Sequence, residues 1–306
     1  MAAILMTPTE TRTTMPEGTQ GPESTLGLEG TQGSESTLIE ERNRMPGSES
    51  LKTDLGNGVL TLTLNRPKVN ALSLELMENL RSAFSQAESD EEIRCVVLTG
   101  AGENFSAGQD INVFQQNVDI PFRYHMLRTY NPLILQIRRL GKPVLAAVDG
   151  ICSGAALGLA LTCDLRIASD RVRFLVGFTG IGLVPDSAVS LLLPTIIGMG
   201  RALEYTFSNI PISADQALAW GMVNWVTPAA ELLEQSTSIA ALLAQGPTRV
   251  MGLAKRAFNK AMLSNLEQVL DYEAHLQEIA GHAPEHKEGV RAFLEKRLPN
   301  FSRQNS

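Results

Sequence analysis

The chain has 306 residues, of which 43% are hydrophobic, 5% aromatic and 19% charged. This composition is typical of globular proteins and excludes fibrous and wholly disordered classes. The formal net charge is −7, so no basic surplus is available for the counterion release that drives general binding to DNA or RNA. No polybasic segment suits a membrane surface either.

The first 50 residues differ from the rest of the chain. They contain eight Glu, no aromatic residue and 24 residues that are Ser, Thr, Gly or Pro, and the string EGTQGPESTL from Glu17 returns as EGTQGSESTL from Glu29. Such a segment cannot bury a core, and its repeat is shorter than those that build solenoids. Residues 1–50 are therefore predicted to be a disordered polar tail. Residues 51–306, with 25 acidic and 23 basic residues, carry a net charge of −2.

The composition of the N-terminus and the surroundings of the cysteines predict the cellular location. The N-terminus has neither the apolar run of a signal peptide nor the acid-poor composition of a transit peptide. No apolar stretch reaches the ~18 residues of a membrane helix. The three cysteines, Cys95, Cys152 and Cys163, lie in apolar stretches without metal-binding spacing, as expected of buried thiols in a reducing compartment. We expect a cytoplasmic protein that does not engage a membrane.

From Leu51 the hydrophobic pattern predicts alternating strands and helices, and hence an α/β fold. Strands are predicted at 59–65, 94–100, 143–150, 164–169 and 173–177, and helices at 72–88 and about 153–161. Helical patterns begin at Ala214 and return over 230–297. We expect a core over residues 51–245 and a helical C-terminal region over residues 246–306. The strand spacing is too uneven for a TIM barrel, and no GxGxxG or Walker A motif follows a strand.

Two turns of small residues follow predicted strands, FSAGQDI at 105–111 and DGICSGAALG at 149–158. Unpaired N–H groups that point outward from two such turns and converge on one point form an oxyanion hole. Each turn alone is more simply explained as turn chemistry. The pair together supports the oxyanion-hole hypothesis.

Asp186 lies in GIGLVPDSAVSLLLP, immediately before an apolar helical pattern. Asp is a favoured N-cap residue, and capping is the simpler interpretation. A lone carboxylate at the mouth of an apolar pocket has instead a raised pKa and serves as a general base. The residues alone leave both interpretations open.

A series of ordered motifs resembles the crotonase, or enoyl-CoA hydratase/isomerase, superfamily. The motifs are NRPKVNALS, FSAGQDI, KPVLAAVDGICSGAALGLALTCDLRIAS, GIGLVPDS, ISADQALAWGMVNWV and EGVRAFLEKRLPNF, which together span about residues 52–303. The resemblance implies a crotonase-like ββα spiral core with a helical C-terminal region. It also implies a homotrimer or homohexamer, acyl-CoA thioesters as substrates, and no metal or cofactor besides the CoA of the substrate. Within the superfamily, AGQD and the segment Tyr130–Asn131–Pro132 are most similar to the epoxyphenylacetyl-CoA isomerases.

The resemblance also assigns roles to individual residues. The backbone N–H groups of Gln109 and Ala155 match the oxyanion hole, which leaves the Gln109 side chain incidental. Asp110, Ile111 and Asn112 match the stretch that lines the CoA adenine and thioester pocket. Asp186 matches the single catalytic acid of the isomerases in this superfamily.

The departures from the hydratase pattern bear on the reaction. Gly158 and Phe178 stand where the hydratases have two glutamates, and neither can move a proton. Adding water requires paired acid and base groups, whereas moving a double bond requires one base. We therefore expect an acyl-CoA isomerase in which Asp186 is the base and the oxyanion hole stabilises an enolate.

Three alternatives remain: an enoyl-CoA hydratase, a 4-chlorobenzoyl-CoA dehalogenase-like hydrolase, and a non-catalytic RNA-binding or scaffold relative. The dehalogenase pairs its Asp with a tryptophan where Phe178 stands. The RNA-binding branch carries a lysine-studded helix, whereas residues 72–90 contain one Arg and no Lys.

The other candidate residues are predicted to have mainly structural roles. His125 is predicted to be a surface or packing residue of a helix, with a role as a second acid as the alternative. Asp164 is predicted to anchor backbone. Trp220 and Trp225 are predicted to lie in the core or at a subunit contact.

Overall fold

The computed structural model describes residues 48–110 and 121–302. Within those ranges the strands are β1 (Leu51–Gly56), β2 (Val59–Leu64), β3 (Cys95–Gly100), β4 (Val144–Val148), β5 (Ile151–Ser153), β6 (Leu165–Ser169), β7 (Arg173–Leu175), β8 (Ile212–Ser213) and β9 (Trp225–Thr227). The helices are α1 (Leu74–Ser89), α2 (Phe122–Arg128), α3 (Tyr130–Arg139), α4 (Ala155–Thr162), α5 (Val189–Ile197), α6 (Met199–Ser208), α7 (Ala214–Ala219), α8 (Leu232–Gln245), α9 (Thr248–Met262), α10 (Leu266–His282) and α11 (Pro284–Leu294).

The α/β prediction is confirmed by the sheet topology. Six strands form one sheet in the order β1-β2-β3-β4-β6-β9, in which β1 is antiparallel to β2 and the remaining neighbours run parallel. A second sheet contains β5, β7 and β8. Because β3 and β4 are parallel neighbours, the turns that follow them emerge at the same edge of the larger sheet.

The central strands β3 and β4 of the large sheet are buried on both faces, which explains their continuous apolar sequences. One face carries Leu60, Leu62 and Leu98 into the main core with α1, α3 and α4. The other face carries Val97 and Leu145 into a smaller cluster covered by α8. All five predicted strands and both predicted N-terminal helices are present.

The C-terminal helical pattern is interrupted where the sequence carries breakers. The helical patterns predicted over 230–297 form four helices, α8 to α11, and the first break falls at Gly246–Pro247. The helix from Ala214 is shorter than its pattern predicts, since it ends at Ala219 and Gly221 adopts a positive φ of 73°. The chain then enters β9. The predicted boundaries at residues 50 and 245 stay predictions, and residues 1–47 of the predicted tail lie outside the described residues.

Three donors converge on Asp164 and join the C-terminal helices to the sheet. Its carboxylate accepts from the backbone N–H of Val144 at 2.9 Å, from Lys255 Nζ at 2.8 Å and from Arg138 Nη1 at 3.2 Å. The Lys255 side chain is only 6% exposed. The prediction that Asp164 anchors backbone is confirmed.

Replacing Asp164 by Ala is expected to lower the free energy of unfolding by about 3 kcal/mol, because the buried Lys255 ammonium loses its counter-charge. Urea unfolding followed by circular dichroism measures the loss. Asp170, an exposed carboxylate in the turn after β6, provides the control. An equal loss in Asp170→Ala would contradict the assignment.

Cys95, Cys152 and Cys163 are free and buried, as predicted. Trp220 packs edge-on against Tyr205 with ring centroids 5.3 Å apart. Across residues 48–110 and 121–302, no helix combines the length and apolar character that crossing a membrane requires.

Candidate active site

A cavity of about 410 Å³ opens where the segment after β3 and the turn after β5 meet helices α2, α3, α10 and α11. Its lining is mainly apolar and includes Gln109, Asp110, Ala155 and Asp186. Four residues that the sequence singled out, from three separate segments, therefore share one cavity. Ile111 and Asn112, predicted to line the same pocket, lie outside the described residues.

The turns that carry Gln109 and Ala155 pack directly against each other. Gly108 has a φ of 91°, and a Cβ there would lie 2.6 Å from the Ser153 carbonyl oxygen and 3.6 Å from the Ala155 nitrogen. Only glycine permits this approach. Ala155 is the first residue of α4, where an N–H has no partner within the helix. Neither the Gln109 nor the Ala155 N–H donates to another described residue. Their role as an oxyanion hole stays a prediction.

The side chain of Gln109 is not incidental, which corrects the expectation drawn from the resemblance. Tyr130 Oη donates a hydrogen bond to Gln109 Oε1, and His125 Nε2 lies 3.3 Å from the same oxygen. Tyr130 is buried at the start of α3 and His125 is buried in α2. The side chain thus ties the turn after β3 to both helices. The sequence offered no signal for this contact beyond the YNP segment.

Asp110 lines the cavity with its carboxylate engaged. Its Oδ2 accepts from Arg66 Nη2 at 3.0 Å, and its backbone N–H donates to the Leu72 carbonyl at 3.0 Å. The ion pair with Arg66 holds the Asp110 side chain beside the cavity.

The N-cap interpretation of Asp186 is wrong. Ala188 is the N-cap residue of helix α5, and its side chain makes no capping hydrogen bond. The free N–H groups are taken instead by Glu273 of α10, which accepts from Ala188 N at 2.9 Å and from Ser190 N at 3.1 Å. A capping group from a distant helix leaves the Asp186 side chain available for the cavity.

Asp186 is buried with two donors on its carboxylate. Ser187 Oγ donates to Oδ1 at 2.8 Å and Gln277 Nε2 donates to Oδ2 at 2.6 Å. Burial raises the pKa of Asp186 to about 6, and both hydrogen bonds oppose the rise. A carboxyl group with this pKa is ionised at neutral pH and still accepts a proton readily.

The two positions that hold glutamates in hydratases carry no proton-transfer group here. A Cβ at Gly158 would lie 2.4 Å from the Ser187 carbonyl oxygen, so helix α4 leaves no room for a side chain at that position. Phe178 is buried and lines the cavity. Among the described residues, the carboxylates lining the cavity are Asp110 and Asp186.

His125 lines the cavity and is only 6% exposed, so the prediction of a surface position is wrong and that of a packing position is confirmed. Its role as a second acid stays an alternative. Burial lowers the pKa of His125 to about 4, so the imidazole is neutral at pH 7. His286 of α11 also lines the cavity, and its Nδ1 lies 2.8 Å from the Ile181 carbonyl oxygen. No group of three His, Cys, Asp or Glu side chains within the described ranges is arranged to hold a metal ion.

The sequence and the fold were compared with known proteins. The family model described as enoyl-CoA hydratase/isomerase matches residues 54–304. The 1,2-epoxyphenylacetyl-CoA isomerase of Escherichia coli (strain K12) is 39% identical over 260 residues, which cover 83% of this chain and 98% of that protein. A probable enoyl-CoA hydratase of Rhodobacter capsulatus is 35% identical over 257 residues, covering 83% and 98%. The 4-chlorobenzoyl coenzyme A dehalogenase-2 of Arthrobacter sp is 35% identical over 248 residues, covering 79% and 89%.

Solved structures share the fold. An enoyl-CoA hydratase from Mycobacterium avium subsp. paratuberculosis K-10 superposes with a TM-score of 0.76 at 33% identity, covering 84% of this chain and 100% of that one. An enoyl-CoA hydratase/isomerase from Pseudoalteromonas atlantica T6c gives 0.75 at 33% identity, covering 83% and 100%. The predicted crotonase-like fold is confirmed.

Proposed function

We propose an acyl-CoA isomerase function for this chain, which belongs to the enoyl-CoA hydratase/isomerase family. The observation that carries the proposal is the setting of Asp186. Its buried carboxyl group has a pKa raised to about 6 and faces the same cavity as the Gln109 and Ala155 turns. Asp186 removes a proton from the carbon next to the thioester and returns it to another carbon of the same substrate. No second acid is needed for that reaction.

The thioester oxygen binds to the N–H groups of Gln109 and Ala155 while negative charge develops on it. Two preorganised donors in a cavity of low polarity stabilise an enolate much more than water does. The N-terminus of α4, where Ala155 lies, adds a favourable dipole. Asp110, with Ile111 and Asn112, is proposed to contact the CoA part of the substrate. No cofactor besides this CoA is proposed.

Hydration fits the site less well than isomerisation does. A hydratase requires one group to activate water and another to protonate carbon. The contact between Gly158 and Ser187 and the apolar side chain of Phe178 leave Asp186 without a second proton-transfer group at those positions. This arrangement favours internal proton transfer.

The acyl group is proposed by similarity to the isomerase relative. That relative acts on 1,2-epoxyphenylacetyl-CoA, and opening an epoxide ring or moving a double bond both require an enolate beside a thioester. We propose that the cavity takes an enoyl-type or aromatic-derived acyl chain, in keeping with a role in phenylacetate or fatty acid breakdown.

The assembly is proposed to be a homotrimer or a pair of trimers. Helix α6 exposes Met199, Leu203 and Phe207 at 62%, 43% and 73%, and this spacing places them on one face of the helix. An apolar helical face of this kind is typical of a subunit contact.

A panel of acyl-CoA thioesters tests the reaction type. Purified protein is incubated with trans-3-hexenoyl-CoA, with 1,2-epoxyphenylacetyl-CoA and with 4-chlorobenzoyl-CoA, and the products are analysed by mass spectrometry and absorbance. The proposal requires a product isomeric with one of the first two substrates. Gain of water alone would favour the hydratase, and release of chloride would favour the dehalogenase-like hydrolase.

The pH dependence provides a second expected result. Asp186 acts as a base only when ionised, and its raised pKa places the loss of ionisation near pH 6. We expect kcat/KM to be constant above about pH 7 and to fall tenfold per unit below about pH 6. Stopped-time assays between pH 4.5 and pH 9 measure the profile, and activity that stays constant down to pH 4.5 would contradict it.

A further inference from the structure

Helix α10 places two side chains one turn apart beside Asp186. Gln277 and Glu273 both point towards the segment between the 3₁₀ turn at Thr179–Ile181 and helix α5. Both are 2% exposed, although residues of these types are rarely buried without a partner. Their contacts therefore explain why they lie there.

The orientation of the Gln277 amide is fixed by the backbone. Its Oε1 accepts from the N–H of Val184 at 3.2 Å, and its Nε2 donates to Asp186 Oδ2 at 2.6 Å. A flipped amide would direct its oxygen at the carboxylate and its NH₂ group at a backbone donor, so both contacts would be repulsive. The amide is thus a bridge with one permitted direction, from Val184 to Asp186.

Glu273 holds the other side of the same turn. Ser187 and Ala188 follow Asp186 with positive φ angles of 54° and 65°, a conformation that is unfavourable for residues with a Cβ. Glu273 accepts from Ala188 N, from Ser190 N and from Ser190 Oγ. These contacts stabilise the turn that directs the Asp186 side chain into the cavity.

We propose that Gln277 is a positioning residue: its amide, held in one direction by Val184, fixes Oδ2 of Asp186 and keeps the carboxylate aimed into the cavity. The inference rests on the proposed function, in which Asp186 is the base. A donor on the charged form lowers the pKa of a carboxyl group, and it opposes the effect of burial here. Without Gln277, Asp186 would be protonated at a higher pH and would be held only by the Ser187 hydrogen bond to Oδ1.

Other titratable groups around the site must be separated from this effect. Glu273 lies on the same helix, and burial raises its pKa to about 7, with the charge of Asp186 contributing. Tyr130 of α3 is buried near Asp186, and its pKa is raised well above the usual value. Across the cavity, burial lowers the pKa of His125 and of His286. Glu273, with a pKa of about 7, titrates close to Asp186 and is therefore given its own reference variant.

The test compares pH profiles of kcat and kcat/KM for trans-3-hexenoyl-CoA, or for whichever thioester of the panel is turned over. Gln277→Met removes the donor at similar volume, and Gln277→Glu keeps the acceptor for Val184. We expect both to move the acidic limb of kcat/KM upward by about one pH unit and to lower kcat on the plateau about tenfold, with the Kd of hexanoyl-CoA changed less than about threefold. Near-ultraviolet circular dichroism checks that each variant is folded.

Three variants serve as references. His275→Gln, on an exposed position of α10, should keep the wild-type profile. Glu273→Gln removes a neighbouring negative charge, so the limb should stay in place or move to slightly lower pH, the opposite direction to the Gln277 variants. A limb that disappears in this variant would assign the titration to Glu273 and overturn the inference. A wild-type profile and plateau in either folded Gln277 variant would also overturn it. An active Asp186→Asn enzyme would instead contradict the proposed function itself.

Discussion

Replacing Asp186 by Asn is expected to lower kcat for isomerisation by at least about a thousandfold, within the range that general acid–base groups contribute. An amide cannot accept the substrate proton at neutral pH, and no other carboxylate lining the described cavity is without a cationic partner, since Asp110 is paired with Arg66. Asn has the same shape as Asp and can still form hydrogen bonds with Ser187 and Gln277. Isothermal titration with hexanoyl-CoA should therefore show an affinity close to that of the wild type.

The thermal midpoint provides an internal control for the same variant. The folded-state pKa of Asp186 is raised, so its ionised form destabilises the fold as pH rises above about 4, and fully so above about pH 6. We expect the Asn variant at pH 8 to be at least as stable as the wild type. Retention of more than about a tenth of the wild-type kcat would remove Asp186 from the mechanism and direct the search for the base to His125.

Replacing Ala155 by Pro is expected to lower turnover by at least about a hundredfold, because one of two oxyanion donors is lost. Ala155 is the first residue of α4, the position at which proline is best tolerated in a helix. The preceding Gly154 has a φ of 57°, which the glycine accommodates. The variant thus removes an N–H with little effect on the helix itself.

Ala155→Gly is the matched control, since it changes the side chain and keeps the N–H. It should retain turnover within about fivefold, because the backbone N–H donor is still present. A glycine in the first turn lowers the stability of the helix by about 1 kcal/mol or less. Circular dichroism establishes that the Pro variant is folded. Similar turnover in the folded Pro and Gly variants would rule out the Ala155 N–H as an oxyanion donor.

The residues that sequence analysis placed at the site are those whose position follows from local structure. Gln109 and Ala155 lie in the two small-residue turns that the sequence predicted after apolar strands, and a parallel bridge between Ser106 and Cys152 holds these turns together. Asp186 was recognised from its motif. The prediction that Asp186 is an N-cap was wrong. Glu273, which lies 85 positions after Ala188 in the chain, accepts the hydrogen bond from the Ala188 N–H instead. Local sequence cannot show that a distant side chain has taken over a capping role.

The sequence did not predict that side chains of the C-terminal helices α10 and α11 would lie at the site. Gln277, Glu273 and His286 lie in amphipathic patterns whose polar residues are normally assigned to solvent. Which polar residues turn inward depends on how α10 and α11 pack against the loop before α5, and helical periodicity carries no information about that contact. Burial of such groups requires partners, and the partners become visible only in three dimensions.

The Asp186 site illustrates how function and stability oppose each other. A buried carboxylate and two non-glycine residues at positive φ, Ser187 and Ala188, are each unfavourable by themselves. Contacts from α10 offset this local destabilisation and fix the arrangement. A substitution that relaxes the turn is therefore expected to stabilise the fold while lowering activity.

Transfer of label within the substrate tests the single-base mechanism most directly. Trans-3-hexenoyl-CoA carrying deuterium at C2 is converted in ordinary water, and the product is analysed by proton and deuterium NMR during the first turnovers. Since Asp186 is 7% exposed, the deuteron it removes should reach C4 before it exchanges fully with solvent. The proposed mechanism predicts deuterium at C4 in a measurable fraction of the product, and none in the Asp186→Asn reaction. Product with protium alone at C4 from the earliest turnover would contradict it.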